Sequence, residues 1–478
     1  MNFIVIVCDT LRRDFLGCYG NNWIKTPYID KFARQSIIFD NAYSASFPTV
    51  PARRDIFTGK YSFTYSEWRP LENNEVVLAE VLGKAGYITM FIADTPHFVR
   101  DGYNFQRGFY AWEWIRGQEN DFYSSDWIDV KLLCKKEKLR DPEHTMKRYS
   151  QNISLRRYEE DYFVAQTMGK AMKWLERNYK HNKFFLYVDT FDPHEPWDPP
   201  EWYVNRYDPN YNGEEVIYPR YWYWKKFLTE KELKHCRALY AGEVSLVDHW
   251  VGKLIEKVWT LGIEKDTAII LTTDHGFSHG EHGIIGKALI EQTKNKTTFS
   301  YMPLYEEINH IPFIIYLPSV KRAMRIKSFI QLTDIMPTLL DLAKIKPESE
   351  MHGKSIIPLI KGNIRKIREF TIGSPTIIHA TEGNVRTTIT TDNGWSLILA
   401  GKQNTENKKY STSAVDGLSK NTVEIGNYQT ELYNLKTDPK QQKNLFSKYP
   451  EIVEQIKNKY IAKLRELKTS DEFISIWE

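Results

Sequence analysis

The sequence predicts an α/β protein: a large, mixed but mostly parallel sheet sandwiched by helices over residues 1–370, then a smaller C-terminal α+β subdomain on an antiparallel sheet over 371–478. Three observations predict it. Short apolar runs alternate with helix-length amphipathic stretches, as in parallel sheets buried on both faces. Four of those runs end on Asp, Thr or His. Beyond residue 370 the texture changes to hairpin chemistry.

Taken in order, the first strand is Phe3 to Cys8, ending at Asp9, with Cys8 expected as a buried small hydrophobe. The second, Tyr87 to Ala93, ends at Asp94 and Thr95. The third, Phe184 to Val188, leads into Asp189-Thr190-Phe191-Asp192-Pro193-His194. The fourth, Ala268 to Leu271, leads through Thr272 and Thr273 into Asp274-His275-Gly276. Helices are expected over Asp161–Tyr179 and Glu230–Leu261, and a strand over Ile311–Leu317 precedes a helix over Asp334–Ala343. Ligands of such sheets bind beyond the carboxyl ends of the strands, so these four ends mark the catalytic edge. In the C-terminal part, 382–399 reads as a hairpin turning at Asp392-Asn393-Gly394. A polar loop over 402–421, a strand over Gln429–Leu435 and a helix over Tyr449–Lys468 follow.

The bulk properties exclude several classes. With 65 basic and 61 acidic residues the charge is nearly balanced, which argues against a nucleic-acid partner. No apolar run approaches the roughly 20 residues that span a bilayer, so no membrane partner is expected. The four cysteines form no CxxC pair, and the N-terminus enters a strand-like run without a basic leader. A cytoplasmic location is the expectation. The segment 195–227, dense in Trp, Tyr and Pro, reads either as a lid or pocket wall or as a homo-oligomer interface.

Asp9, Asp274, His275 and the Thr49 hydroxyl are the candidate metal ligands. Two carboxylates and an imidazole suit one Mn²⁺ or Zn²⁺ ion, with Fe²⁺ next and Ca²⁺ less suited. Pro51 fits a first helical turn, so Thr49 stands near a helix N-terminus, where anions are favoured. Arg53, about a turn further on, offers a guanidinium fork to a tetrahedral oxyanion. The competing reading makes Thr49 a simple N-cap, which accounts for neither Arg53 nor the distant ligands.

These residues sit in motifs that resemble one family, the sulfatases and phosphonate monoester/phosphodiester hydrolases of the alkaline phosphatase superfamily. DTLRRDFLGCYG (9–20) and TPYIDKFA (26–33) resemble its N-terminal metal motif, and TVPARRDIFTG (49–59) its nucleophile motif. DPHEP (192–196) and TTDHGFSHGEHGIIGK (272–287) resemble its histidine and second metal segments. LTDIMPTLLDLAKI (332–345) and ELYNLKTDPKQQKNL (431–445) resemble later signatures. The resemblance implies Thr49 as nucleophile and metal-bound oxygen, and Arg53, His194 and Lys287 as oxyanion contacts. His194 or Lys287 assists the leaving group, while His279 and His282 have no matching role and read as structural.

The departures from the family pattern shape the expected function. Sulfatases carry Cys or Ser at the position of Thr49, oxidised to formylglycine; the β-methyl of threonine blocks that oxidation. A threonine adduct must then be hydrolysed at phosphorus or sulfur. IADTPHF (92–98) lacks the usual sulfatase lysine and offers Thr95 as a substrate contact, closer to phosphonate monoester hydrolases. The expectation is a metal-dependent hydrolase of small phosphodiesters or phosphonate monoesters, working through phosphothreonine and promiscuous toward sulfate esters. The alternatives are a sulfatase using unmodified threonine and an inactive binding protein on the same fold.

Overall fold

A computed structural model describes residues 1–100, 102–293, 296–378, 385–401, 422–424 and 429–478. The strands that matter, in chain order, are β1 (Asn2–Cys8), β2 (Ile37–Tyr43), β3 (Ile88–Ala93), β4 (Ala111–Trp114), β5 (Phe184–Thr190), β6 (Thr267–Thr272), β7 (Phe313–Tyr316), β8 (Phe370–Gly373), β9 (Arg386–Thr391), β10 (Trp395–Ala400) and β11 (Glu431–Asn434). The helices are α1 (Pro27–Ala33), α2 (Thr49–Thr58), α3 (Phe163–Asn178), α4 (Glu230–Thr260), α5 (Ile335–Ala343) and α6 (Pro450–Glu466). They fall into two compact units that do not follow chain order: residues 1–40, 76–286 and 312–326 form the first, and 41–75, 287–311 and 327–478 the second.

In the first unit the sheet order is β7-β6-β1-β5-β3-β4. β6, β1, β5, β3 and β4 run parallel, and β7 is antiparallel to β6. The start of β2 pairs antiparallel with β7 through Ile37 and Ile38. β1, NFIVIVC, is buried at every position, which is why it reads as an unbroken apolar run rather than an alternating one. β4 is an edge strand that the apolar-run criterion misses, because its AWEW sequence stays half exposed. α3 packs on β5 and β3 and also on α4. α4 starts with a capping box: Thr229 Oγ1 accepts from Glu232 N at 3.2 Å, and Glu232 Oε2 accepts from Thr229 N at 2.8 Å.

The expected strand Ile311–Leu317 is shorter than the sequence suggested. Pro312 lacks an N–H and separates the two-residue strand His310–Ile311 from β7. The aromatic 195–227 segment is largely buried. Trp197, Tyr203, Tyr207, Tyr218, Tyr221 and Trp224 are buried, and only Trp202 and Tyr223 of its aromatics rank as exposed.

The second unit carries the antiparallel sheet β8-β9-β10-β11. β9 and β10 join at Asp392-Asn393-Gly394, where Gly394 takes φ +96°. Ile389, Leu397 and Leu432 from this sheet share a core with Val453, Ile456, Tyr460 and Leu464 of α6. The expected 382–384 start of the hairpin and the 402–421 loop lie outside the described residues. Among the described residues no helix is long and apolar enough to cross a membrane.

Candidate active site

Parallel strands deliver their carboxyl ends to one edge, and the first unit uses that edge for its titratable groups. Asp9 follows β1, and Asp274 and His275 follow β6; all three are fully buried. One ligand atom from each lies within 4.8 Å of the others. Asp274 Oδ1 accepts from Thr10 N at 3.1 Å and from His275 N at 2.8 Å, which fixes the carboxylate. Thr10 reaches this position in the left-handed region, at φ 56°. His275 Nδ1 donates to Gly276 O at 2.8 Å, so Nε2, 3.3 Å from Asp274 Oδ2, is the nitrogen that could serve a metal ion. Two carboxylates and a neutral imidazole in a buried cluster fit one divalent transition-metal ion.

β3 and β5 end beside each other and bring Thr95 and His194 to the same edge. Thr95 Oγ1 donates to Asp189 Oδ1 at 3.0 Å, so only its lone pairs remain for a ligand. His194 is buried and stacks on Phe191, with 4.0 Å between ring centroids. Its Nδ1 lies 2.8 Å from Glu195 O and 3.2 Å from Glu195 Oε2. Asp94, which the sequence marked only as a strand end, holds this loop. Its carboxylate accepts from Phe191 N at 2.5 Å and from the Thr167 and Thr190 hydroxyls at 2.7 and 2.8 Å. Burial and the nearby Asp192 push its carboxyl well up. His97, two residues beyond Thr95 in the quoted motif, was not selected from the sequence; it is buried, 3.1 Å from Glu119. His279 packs among Phe15, Trp197, Tyr240 and Phe277.

In the second unit Thr49 is the first residue of α2, and Pro48 holds the N-cap position without a side-chain bond. Thr49 is thus not the cap that the simpler reading made it. Lys287 Nζ stands 3.5 Å from Thr49 Oγ1, and Arg53 Nη1 stands 3.5 Å from Thr49 O. The structure therefore gathers Thr49, Arg53 and Lys287 at one helix start. Sequence reasoning missed Arg54 and Asp55, both fully buried. Arg54 donates to Ser66, Glu67 O, Arg69 O and Pro70 O and pairs with Glu75 at 3.2 Å. Asp55 accepts from Ser46 N and Ser62 N at 2.7 and 2.8 Å, tying the helix to its flanking loops.

A hydroxyl at a helix start beside two cations, in a chain that also buries a carboxylate–imidazole cluster, is the equipment of a metal-dependent ester hydrolase. The chain belongs to the Sulfatase family, whose model matches residues 1–345. It is 26% identical to an arylsulfatase of Clostridium perfringens over 78% of this chain and 81% of that one. It is 23% identical to human arylsulfatase K, covering 94% and 80%. With an N-acetylglucosamine-6-O-sulfatase of Bacteroides thetaiotaomicron the identity is 24%, covering 75% and 71%. Among solved structures, a phosphonate monoester hydrolase of Agrobacterium radiobacter superposes with TM-score 0.70 at 18% identity, covering 98% of this chain and 95% of that one. A structure in complex with its substrate D-glucosamine-2-N,6-O-disulfate gives 0.68 at 19%, covering 99% of each. Both show the shared fold.

Proposed function

We propose that this chain hydrolyses sulfate esters of small molecules with an unmodified Thr49 as nucleophile. The observation that carries the nucleophile assignment is the Lys287 ammonium 3.5 Å from Thr49 Oγ1 at the first turn of α2. The choice of sulfate rests on the matched relatives, which are named as sulfatases. Asp9, Asp274 and His275, with the Thr49 hydroxyl as a further oxygen donor, would hold one Mn²⁺ or Zn²⁺ ion, which would supply Lewis-acid charge.

The chain's own residues then divide the work. The Thr49 hydroxyl gives its proton to solvent water, and Lys287 and the α2 N-terminus both favour the oxyanion that remains. Its oxygen forms a bond to sulfur as the sulfur–oxygen bond to the leaving alcohol breaks. Arg53, Lys287 and His194 offer N–H donors to the non-bridging oxygens, and Thr95 offers a lone pair to a ligand hydroxyl. The leaving alcoholate takes its proton from His194, and water releases sulfate from the threonine ester with His194 as base.

A second reading, hydrolysis of phosphodiesters or phosphonate monoesters through phosphothreonine, is favoured by one observation: Thr49 itself, whose β-methyl excludes formylglycine. Initial rates on p-nitrophenyl sulfate, bis-p-nitrophenyl phosphate and p-nitrophenyl phenylphosphonate, with metal content measured on the same sample, separate the two. The expected result is preference for the sulfate, about one transition-metal ion per chain, and an adduct on the Thr49 peptide by mass spectrometry. Preference for either phosphorus ester selects the second reading. No turnover on any of the three by metal-loaded protein removes both.

A further inference from the structure

Behind His194 runs a chain of buried charges that the proposed chemistry does not use. Glu195 Oε1 accepts from Tyr221 OH and pairs with Arg140 Nη2 at 3.0 Å. The same Arg140 nitrogen donates to Glu119 Oε1 at 2.9 Å. Glu119 Oε1 also accepts from Tyr218 OH at 2.8 Å, and its Oε2 lies 3.1 Å from His97 Nε2. Arg140 sits over the Tyr218 and Tyr221 rings, at 4.3 and 4.2 Å. The two histidines at the ends flank one ring: Phe191 stacks on His194 and meets His97 edge-on at 5.4 Å.

We propose that Glu195, Arg140 and Glu119 form a buried positioning relay that orients His194 and couples its charge to that of His97. This rests on the reading that His194 serves the reacting ester. Glu195, Glu119, His97 and His194 are buried and the Arg140 side chain is 14% exposed, so the interactions lie largely out of water and are screened less by salt than surface pairs. A buried carboxylate calls for a nearby cation, and Arg140 stands within ion-pair distance of both Glu119 and Glu195. Burial alone raises Glu119, yet His97 and Arg140 hold it down to about 2. Glu195 in turn takes the Nδ1 side of His194, which leaves Nε2 as the nitrogen that exchanges a proton.

The other titratable groups near His194 do not duplicate the relay. Burial keeps the Tyr218 and Tyr221 phenols neutral. Asp192, pushed up to about 6 by burial, is engaged by Val164 N at 3.0 Å and Gln118 Nε2 at 2.7 Å. Asp94 is committed to Phe191 N and two threonine hydroxyls. Coupling through Arg140 therefore makes a signed prediction. Neutralising Glu119 leaves Arg140 less compensated and disfavours the protonated His194. Removing a protonated His97 does the reverse.

The test is the pH titration of His194 in the full chain, read from side-chain ¹⁵N shifts of histidine-labelled protein, for wild type, Glu119→Gln and His97→Gln. The midpoint is expected to fall by about one pH unit in Glu119→Gln and to rise in His97→Gln, with the pH–rate profile moving the same way. Unmoved midpoints, or shifts of the same sign in both variants, overturn the relay and leave only a mechanical anchor. Should Glu119→Gln fail to fold, Arg140→Lys serves instead. It keeps the charge but not the two-carboxylate bridge, and the relay requires it to shift the midpoint and lower kcat more than it changes KM. Full activity in His194→Ala removes the catalytic reading of His194 while leaving the titration result to stand alone.

Discussion

The strand ends that carry Asp9, Asp274 and His275 and the helix that carries Thr49 and Arg53 face opposite electrostatic problems. The first buries acceptors and must find positive charge for them. The second buries donors and must find acceptors: all ten residues of α2 are buried, including two consecutive arginines. Arg54 solves this locally, since the 66–70 loop surrounds its guanidinium with carbonyls. Arg53 makes a long contact with Thr49 O on its own helix. Two neighbouring arginines with the same burial thus stand in different places: the Arg54 guanidinium lies among the carbonyls of the 66–70 loop, and that of Arg53 lies at the helix start with the proposed nucleophile.

Thr49→Ala gives the largest effect expected from this contrast. Loss of the nucleophile should lower kcat by about 10³-fold or more, while the melting temperature stays near that of wild type. Thr49→Ser should recover most of the activity, because it keeps the hydroxyl. Initial rates and thermal melts on the same preparations decide it; activity within tenfold of wild type in the alanine variant refutes the assignment.

On the strand-edge side, Asp274→Asn or removal of metal by a chelator should reduce turnover by at least about 100-fold. Chelation should also lower stability, by about 3 kcal/mol if free metal stood 100-fold above its dissociation constant. Metal analysis with calorimetry before and after chelation measures both. Unchanged melting and activity in metal-free protein would mean that the cluster is structural only.

Arg54→Ala comes next. It leaves the carbonyls of the 66–70 loop and the Glu75 carboxylate without their partner, at a cost of about 3 kcal/mol. Urea unfolding reads this directly. Turnover per folded molecule should change far less than in Thr49→Ala, which separates the two arginine roles.

These contrasts also mark what the sequence could carry. The strand-edge groups were legible because parallel strands buried on both faces leave a plain signature, an apolar run that stops at a polar residue. Asp9, Thr95, His194, Asp274 and His275 all follow such runs. β2 was passed over, since Asp40 and Asn41 interrupt its apolar pattern where the strand is only half buried. Arg54 and Asp55 were invisible for another reason. A polar residue inside a buried helix is explained only by its partners, and those come from loops whose path the sequence does not specify. The aromatic segment after His194 admitted a lid or pocket wall or an interface, because Trp and Tyr suit binding surfaces and cores alike; the structure adds that most of its aromatics, Trp197 among them, are buried.

The smallest effect compares one buried carboxylate in each region. Asp55 receives Ser46 N and Ser62 N in the second unit, and Asp248 receives Tyr28 N and Ile29 N at the start of α1 in the first. Burial outweighs these donors and pushes each carboxyl up to about 7. An aspartate in the unfolded chain titrates near 4, so the folded state binds each proton more tightly. This contribution is fully present below about pH 4 and is lost as pH rises through about 7, by about 1 kcal/mol per pH unit for each group. His352, lowered to about 4 by burial, runs the opposite way: its contribution is present above the usual histidine range and is lost as pH falls toward 4. The total stability of wild type therefore mixes both signs, and the useful quantity is the difference between wild type and Asp55→Asn, or Asp248→Asn, at each pH from 5 to 8. That difference should shrink as pH rises. A difference that grows instead would show that the backbone donors, and not burial, set the charge of these two carboxylates.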